Sequence, residues 1–309
     1  MSQSETQRRD RQAGSGVVGR VRPGDLVLIA AVPAVLLAVF ALPESTRQTL
    51  VFEYTAPTVW TAFAAPFVHF DSGHLAFNLV GYGLVVPVAY LLSAVNHRHW
   101  RFRIALVSLV VSCPVLLSYL NLAIVRDGSG VGFSGVLMAL YGYLPLALAD
   151  HLESQFDAGR TRTVAPLLFF LVLTVMTGLT LWLTAAYPVS VPVRGVVVPV
   201  GPVLTATLAG LLLALALVVV LYLLSLRDEW ENGLATLRNA IDRSGHFELA
   251  VVGALLLVAV PFATFPLDPT VTDGVVNLYV HLLGYALGFL TVYLYWLNNE
   301  STARTDSRI

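Results

Sequence analysis

Long apolar runs separated by short polar stretches dominate the chain. About 20 apolar residues make one bilayer crossing. By that measure eight runs qualify, near 25–42, 74–95, 103–125, 132–149, 163–187, 202–226, 249–267 and 275–297. Asp25, Asp71 or Ser72, and Asp273 precede or open their runs and are expected helix N-caps. Pro33, Pro87, Pro114 and Pro261 fall inside runs, which lipid-embedded helices tolerate. No internal repeat is visible. The pattern predicts an all-α polytopic membrane helix bundle over 25–298, with polar tails at 1–24 and 299–309.

Composition supports this reading. The 309 residues are 57% hydrophobic and 12% charged, with mean hydropathy +0.76. A soluble domain carries about 25% charged residues. Every basic residue is arginine, and the net charge of -1 gives no reason to expect a nucleic-acid partner. Cys113 is the only cysteine, so no internal disulfide can form. The first run lacks a convincing small-residue cleavage site and meets Pro43, so it reads as an uncleaved span.

Arginine placement sets the expected orientation. With both termini in the cytoplasm, 15 of the 18 basic residues lie inside, and only Arg47, Arg126 and Arg194 lie outside. The positive-inside rule favours that arrangement in a cell membrane. The segment 43–73 is then a long external loop. Its Trp60, Phe63 and Phe67 are expected to anchor it at the interface.

Three polar groups interrupt the apolar runs. His74 and Asn78 are four apart and share one helix face. Gly132-Phe133-Ser134-Gly135 opens the fourth run, and His281 stands in the last with Gly284 and Gly288 on its face. Taken singly, the glycine motif reads as close helix packing and the histidine as a cross-helix hydrogen bond. Depth argues for more. Gly135 to Ala149 makes only about 22 Å of helix against a core of about 30 Å, so Ser134 is expected at a sunken helix start. Counted from Asp273, His281 lies about 12 Å inward, and Asn78 lies about 10 Å inward from Asp71. All three groups reach one depth in the outer leaflet.

The chemistry follows from that convergence. Serine needs a base to become a nucleophile, and His281 is the candidate. An acyl-transfer oxyanion needs preorganised donors, which His74, Asn78 and the Ser134 backbone N–H can supply. No carboxylate lies deep in these spans, so a Ser–His dyad is expected, with Asp71 as a cap. Gly135, Ala139 and Gly142 form one small face that lets the fourth and eighth runs approach through Gly284 and Gly288. No cofactor or metal is expected.

The chain resembles the rhomboid intramembrane serine proteases. His69, His74 and Asn78 match the family's HxxxxHxxxN. Gly132, Ser134 and Gly135 match its GxSG, and His281, Gly284 and Gly288 match its HxxGxxxG. The resemblance implies cleavage of transmembrane protein substrates, with Ser134 as nucleophile, His281 as base, His74 and Asn78 at the oxyanion, and His69 in support. It implies a six-helix core, so a two-helix hairpin within 163–226 is an insertion. It also implies lateral substrate access beside the seventh span. Phe262 and Phe265 are three apart and share one face there, so they either plug the route or simply face lipid.

There are departures from the family. Thr61 replaces the arginine of a Trp-Arg pair beginning at Trp60. Met138 stands where a tyrosine usually stacks on the catalytic histidine, with Tyr141 and Tyr285 as the nearest substitutes. A rhomboid-like pseudoprotease that binds membrane clients without cutting them is the alternative. A transporter fits less well, because the polar cluster lies near one surface rather than at the midplane.

Overall fold

The computed structural model describes residues 19–123, 128–187, 190–193, 196–199, 201–227, 245–264 and 278–306. The chain is an all-α polytopic bundle, and among the described residues eight helices are long and apolar enough to cross a membrane. In order, the elements are α1 (Pro23–Phe40), α2 (Glu44–Gln48), β1 (Phe52–Glu53), α3 (Val59–Ala64), α4 (Ser72–Val95) and α5 (His99–Leu120). Then follow β2 (Ser129–Gly130), α6 (Ser134–Phe156), α7 (Thr161–Ala186), β3 (Ser190–Val193), β4 (Val196–Pro199), α8 (Gly201–Leu226), α9 (His246–Thr264) and α10 (Leu278–Asp306). The spans are α1 and α4 through α10.

Helix α6 is the centre. In its apolar window 89% of residues are buried, against 17% in α8. Helices α4, α5, α7, α9 and α10 all pack on α6. With lipid outside, such packing rests on close van der Waals contact rather than on the hydrophobic effect. Helix α7 belongs to this inner ring: its Phe169 stacks on Phe289 and Tyr285 of α10, at 4.2 and 5.2 Å between ring centroids. Helix α8 packs chiefly on α7, with Phe170 and Tyr222 stacked at 6.0 Å. The α7–α8 hairpin expected as an insertion is therefore uneven, one helix packed into the bundle and one on its flank.

Polar networks tie the end of the bundle opposite Ser134. Asp25 was expected to cap α1, but the N-cap is Arg22, with Pro23 opening the helix. Asp25 is instead 1% exposed. It accepts from Arg103 Nε at 2.5 Å and Tyr90 Oη at 3.0 Å, and lies 3.1 Å from His99 Nδ1. A carboxylate buried among apolar helices is tolerable only when paired in this way.

Helix α6 also departs from expectation. It does not stop at Ala149 but runs to Phe156, about 34 Å in all. Asp150 is held by Arg98 and Arg101, and Glu153 accepts from the Thr161 N–H at 2.7 Å, so the helix continues past its apolar part. Its length therefore does not require a sunken start. Helix α5 likewise begins at His99 and carries Arg101 and Arg103 within its first turns.

Candidate active site

Two loops are joined to place Ser134. The α1–α4 segment forms α2, β1, α3 and a 3-10 turn at Ala65–Phe67. Strand β1 pairs antiparallel with β2, Phe52 opposite Gly130 and Glu53 opposite Ser129. Gly132 N–H donates to the Ala65 carbonyl at 3.2 Å, and Tyr54 N–H to the Gly128 carbonyl at 3.1 Å. Phe67 is buried against Phe133, with ring centroids 5.6 Å apart, so it is a packing residue rather than an interface anchor. Trp60 is exposed as expected of an anchor. At the start of α4 the Asp71 carboxylate accepts from His74 N–H at 2.6 Å, which makes it the N-cap.

Gly132 has φ +103, a region that side-chain-bearing residues rarely occupy. A Cβ there would also lie 2.5 Å from Cε1 of His74. The loop entering α6 is thus laid directly on the His74 ring, and Ser134 is the first residue of the helix. Its N–H is among those left without an intrahelical acceptor at the positive end of the dipole.

His69 lies beneath His74, edge to face at 5.0 Å. Its Nε2 accepts from Asn78 Nδ2 at 2.9 Å and from the Phe133 N–H at 3.4 Å. Accepting twice at Nε2 assigns the ring proton to Nδ1. Burial, with His74 nearby, lowers the His69 pKa to about 4, so the ring is neutral at pH 7. Asn78 is fully buried and spends one amide hydrogen on His69. Its Oδ1 has no partner among the described residues.

Arg47, with no assigned role in the motifs, completes the support. Its Nη1 donates to the His69 carbonyl, and its guanidinium lies over Phe40 and Phe70 at 5.0 and 5.3 Å. Its standing as a rare external arginine was the only sign of this in the sequence.

Helices α6 and α10 touch backbone to backbone. A Cβ on Gly284 would lie 2.3 Å from the Gly135 oxygen, one on Gly288 1.9 Å from the Ala139 oxygen, and one on Gly142 2.4 Å from the Tyr285 oxygen. At the top of this seam a Cβ on Gly135 would lie 2.5 Å from Val280. The turn from Val280 to Gly284 therefore spans Gly135, which places buried His281 at the level of Ser134. His74 stands within electrostatic reach of His281. No hydrogen bond joins Ser134 to His281 among the described residues.

Met138 is fully buried and packs at Gly284, whose added Cβ would meet the Met138 Cβ at 3.2 Å. Tyr141 and Tyr285 pack against each other with tilted rings, 5.1 Å between centroids. Their hydroxyls donate to the carbonyls of Leu257 and Phe169, so both are committed away from the serine. Asp273 and Phe265 lie outside the described residues, and with them the depth count for His281. Among the described residues no group of three His, Cys, Asp or Glu could hold a metal ion. No protein-family model, curated protein or solved structure matches the chain.

Proposed function

We propose that this chain is an intramembrane serine endopeptidase of the rhomboid type, cutting transmembrane segments of other proteins near the outer face. The observation that supports it best is the glycine seam, which sets the Ser134 and His281 turns side by side while Gly132 lies against His74. Ser134 Oγ attacks the scissile carbonyl carbon as its proton passes to His281. The carbonyl oxygen takes the charge and is met by the Ser134 N–H, by His74 and by the second amide hydrogen of Asn78. The C–N bond then breaks, His281 returns the proton to the leaving amine, and water hydrolyses the acyl ester.

A revised depth count agrees with this reading. Asp150, ion-paired at the opposite end, marks a polar boundary. Ser134 lies about 24 Å from it along α6, short of a core of about 30 Å. With both termini cytoplasmic, as the arginines favour, the serine lies roughly 6 Å below the outer surface. Substrate helices reach it sideways, along the seam where α9 packs on α4.

The pseudoprotease reading is favoured by one observation, the missing Ser134–His281 hydrogen bond. Catalytic hydrogen bonds are often long without substrate, so the protease reading is preferred. The test is cleavage of a reconstituted single-pass substrate. A cut in the outer third of its span, lost in Ser134→Ala, is expected. A cut in the cytoplasmic third, or none with any substrate tried, contradicts the reading.

A further inference from the structure

Pro261 stands inside α9, one turn before its last residue. Proline has no N–H, so the carbonyl four residues back, that of Leu257, loses its helical donor. Tyr141 of α6 supplies another: its hydroxyl donates to the Leu257 carbonyl at 2.7 Å. The same pairing recurs elsewhere in the bundle. Tyr82 of α4 donates to the Ile29 carbonyl at 2.9 Å, and Tyr293 of α10 to the Arg162 carbonyl at 3.2 Å. Pro33 in α1 and Pro166 in α7 follow those carbonyls by four residues. Each time a tyrosine of a neighbouring helix donates where a proline cannot.

Tyr141 is set apart by its place. It lies seven residues after Ser134, on the same face of α6, and is fully buried. The Leu257 carbonyl that it holds belongs to a buried residue. The first half of α9 is fixed by other contacts. His151 Nε2 donates to the His246 carbonyl at 3.1 Å, and a Cβ on Gly253 would lie 3.3 Å from Leu148 and from Leu92. The last turn is weaker in its own backbone. Pro261 breaks the ladder there, and the Thr264 hydroxyl turns back to the Val260 carbonyl at 2.8 Å, a bond that bends helices. That turn ends at the candidate site: Thr264 is buried, and its backbone is within hydrogen-bonding reach of the His281 ring.

We propose that Tyr141 is a positioning residue, which holds the carbonyl freed by Pro261 and so fixes the last turn of α9 against the ring of His281. The role rests on the reading of His281 as the base. Tyr141 touches no reacting atom and acts through α9. Its hydroxyl is the part that matters, because phenylalanine would keep the packing against Tyr285 and lose only the bond to Leu257.

The test is a double-variant cycle on the full-length protein, with Tyr141→Phe and Pro261→Ala made singly and together. In Pro261→Ala the restored backbone N–H bonds the Leu257 carbonyl within the helix, so the tyrosine hydroxyl becomes redundant. Two quantities are read: amide hydrogen exchange over residues 246–264, and the rate at which a fluorophosphonate labels Ser134. Tyr141→Phe is expected to speed exchange near the end of α9 about tenfold, the effect of leaving a buried carbonyl without its donor. It should slow labelling about tenfold as well, less than the roughly 10²-fold that a misplacement of about 1 Å brings. On the Pro261→Ala background both effects should largely vanish. Tyr293→Phe, which breaks the like bond at the end of the bundle opposite Ser134, should leave labelling unchanged. Equal effects of Tyr141→Phe on exchange with and without Pro261 overturn the clasp, since coupled groups cannot be additive. Labelling as fast in Tyr141→Phe as in wild type overturns the positioning role alone. Absence of labelling in wild type overturns the protease reading, and the positioning role with it.

Discussion

A Cβ on Gly288 would lie 1.9 Å from the carbonyl oxygen of Ala139 and 2.7 Å from its Cα. No side chain can occupy that space while α6 and α10 keep their separation. The contact continues upward through Gly284 and Gly135 to the level of Ser134 and His281. Backbone atoms cannot give way as a flexible side chain does, so any added methyl must push the two helices apart. The spacing of Ser134 and His281 is thus a property of the seam.

Gly288→Ala should accordingly destabilise the protein by about 1–3 kcal/mol, the usual cost of overpacking. It should reduce cleavage more than its effect on folding explains. Thermal unfolding in detergent and turnover measured on the still-folded fraction separate the two effects. Wild-type turnover would show that the seam does not set the site.

Gly132→Ala carries a double penalty, from φ +103 and from the 2.5 Å approach to His74. Strained backbone of this kind costs on the order of 1–3 kcal/mol. Turnover should fall sharply, and Gly132→Ser should behave alike because both add a Cβ. Retention of full activity by either variant would argue against His74 lying on this loop.

His69 predicts a pH dependence. Its pKa is about 4 in the folded chain, against an ordinary 6.5. Above pH 6.5 the ring is neutral in both folded and unfolded chains. Between pH 6.5 and about 4 the unfolded chain binds the extra proton and the folded one does not, so stability is lost as pH falls through that window. His69→Gln keeps an acceptor for the Phe133 N–H and cannot titrate, so it should flatten the dependence. Unfolding midpoints from pH 7 to pH 4 measure this, and equal slopes in the two proteins would contradict it.

His74→Ala should lower turnover about 10²-fold with little change in unfolding, the loss expected for one oxyanion donor on a partly exposed ring. Asn78→Ala should cost activity and stability together, because Asn78 is fully buried and bonded to His69. Turnover and unfolding midpoints measured on both purified variants distinguish a donor from a support.

Local signals in the sequence were sufficient for some of these features. Apolar runs of span length located the eight helices, because a bilayer leaves the chain little other choice. Asp71 was legible as a cap because capping is decided within three residues. The small face of Gly135, Ala139 and Gly142 pointed to the contact with Gly284 and Gly288, since only small side chains permit it.

Long-range polar pairing was not legible. Asp25 stands where a cap would stand, and only Arg103, His99 and Tyr90, far along the chain, turn it inward. Helix α6 outran its apolar stretch because Arg98 and Arg101 neutralise Asp150 across the bundle. Two-residue strands carry no periodicity, so the β1–β2 clasp left no trace in the pattern, and the Arg47 bond to His69 left only the oddity of an external arginine.

The most direct measurement is covalent labelling of the purified protein by a fluorophosphonate probe, which reports an activated serine whatever the natural substrate is. Wild-type protein should be labelled at Ser134, with labelling abolished in Ser134→Ala and in His281→Ala. The double variant should be no worse than either single one, since the two residues act as a unit. Absence of labelling in folded wild type, or labelling that survives Ser134→Ala, would contradict the dyad.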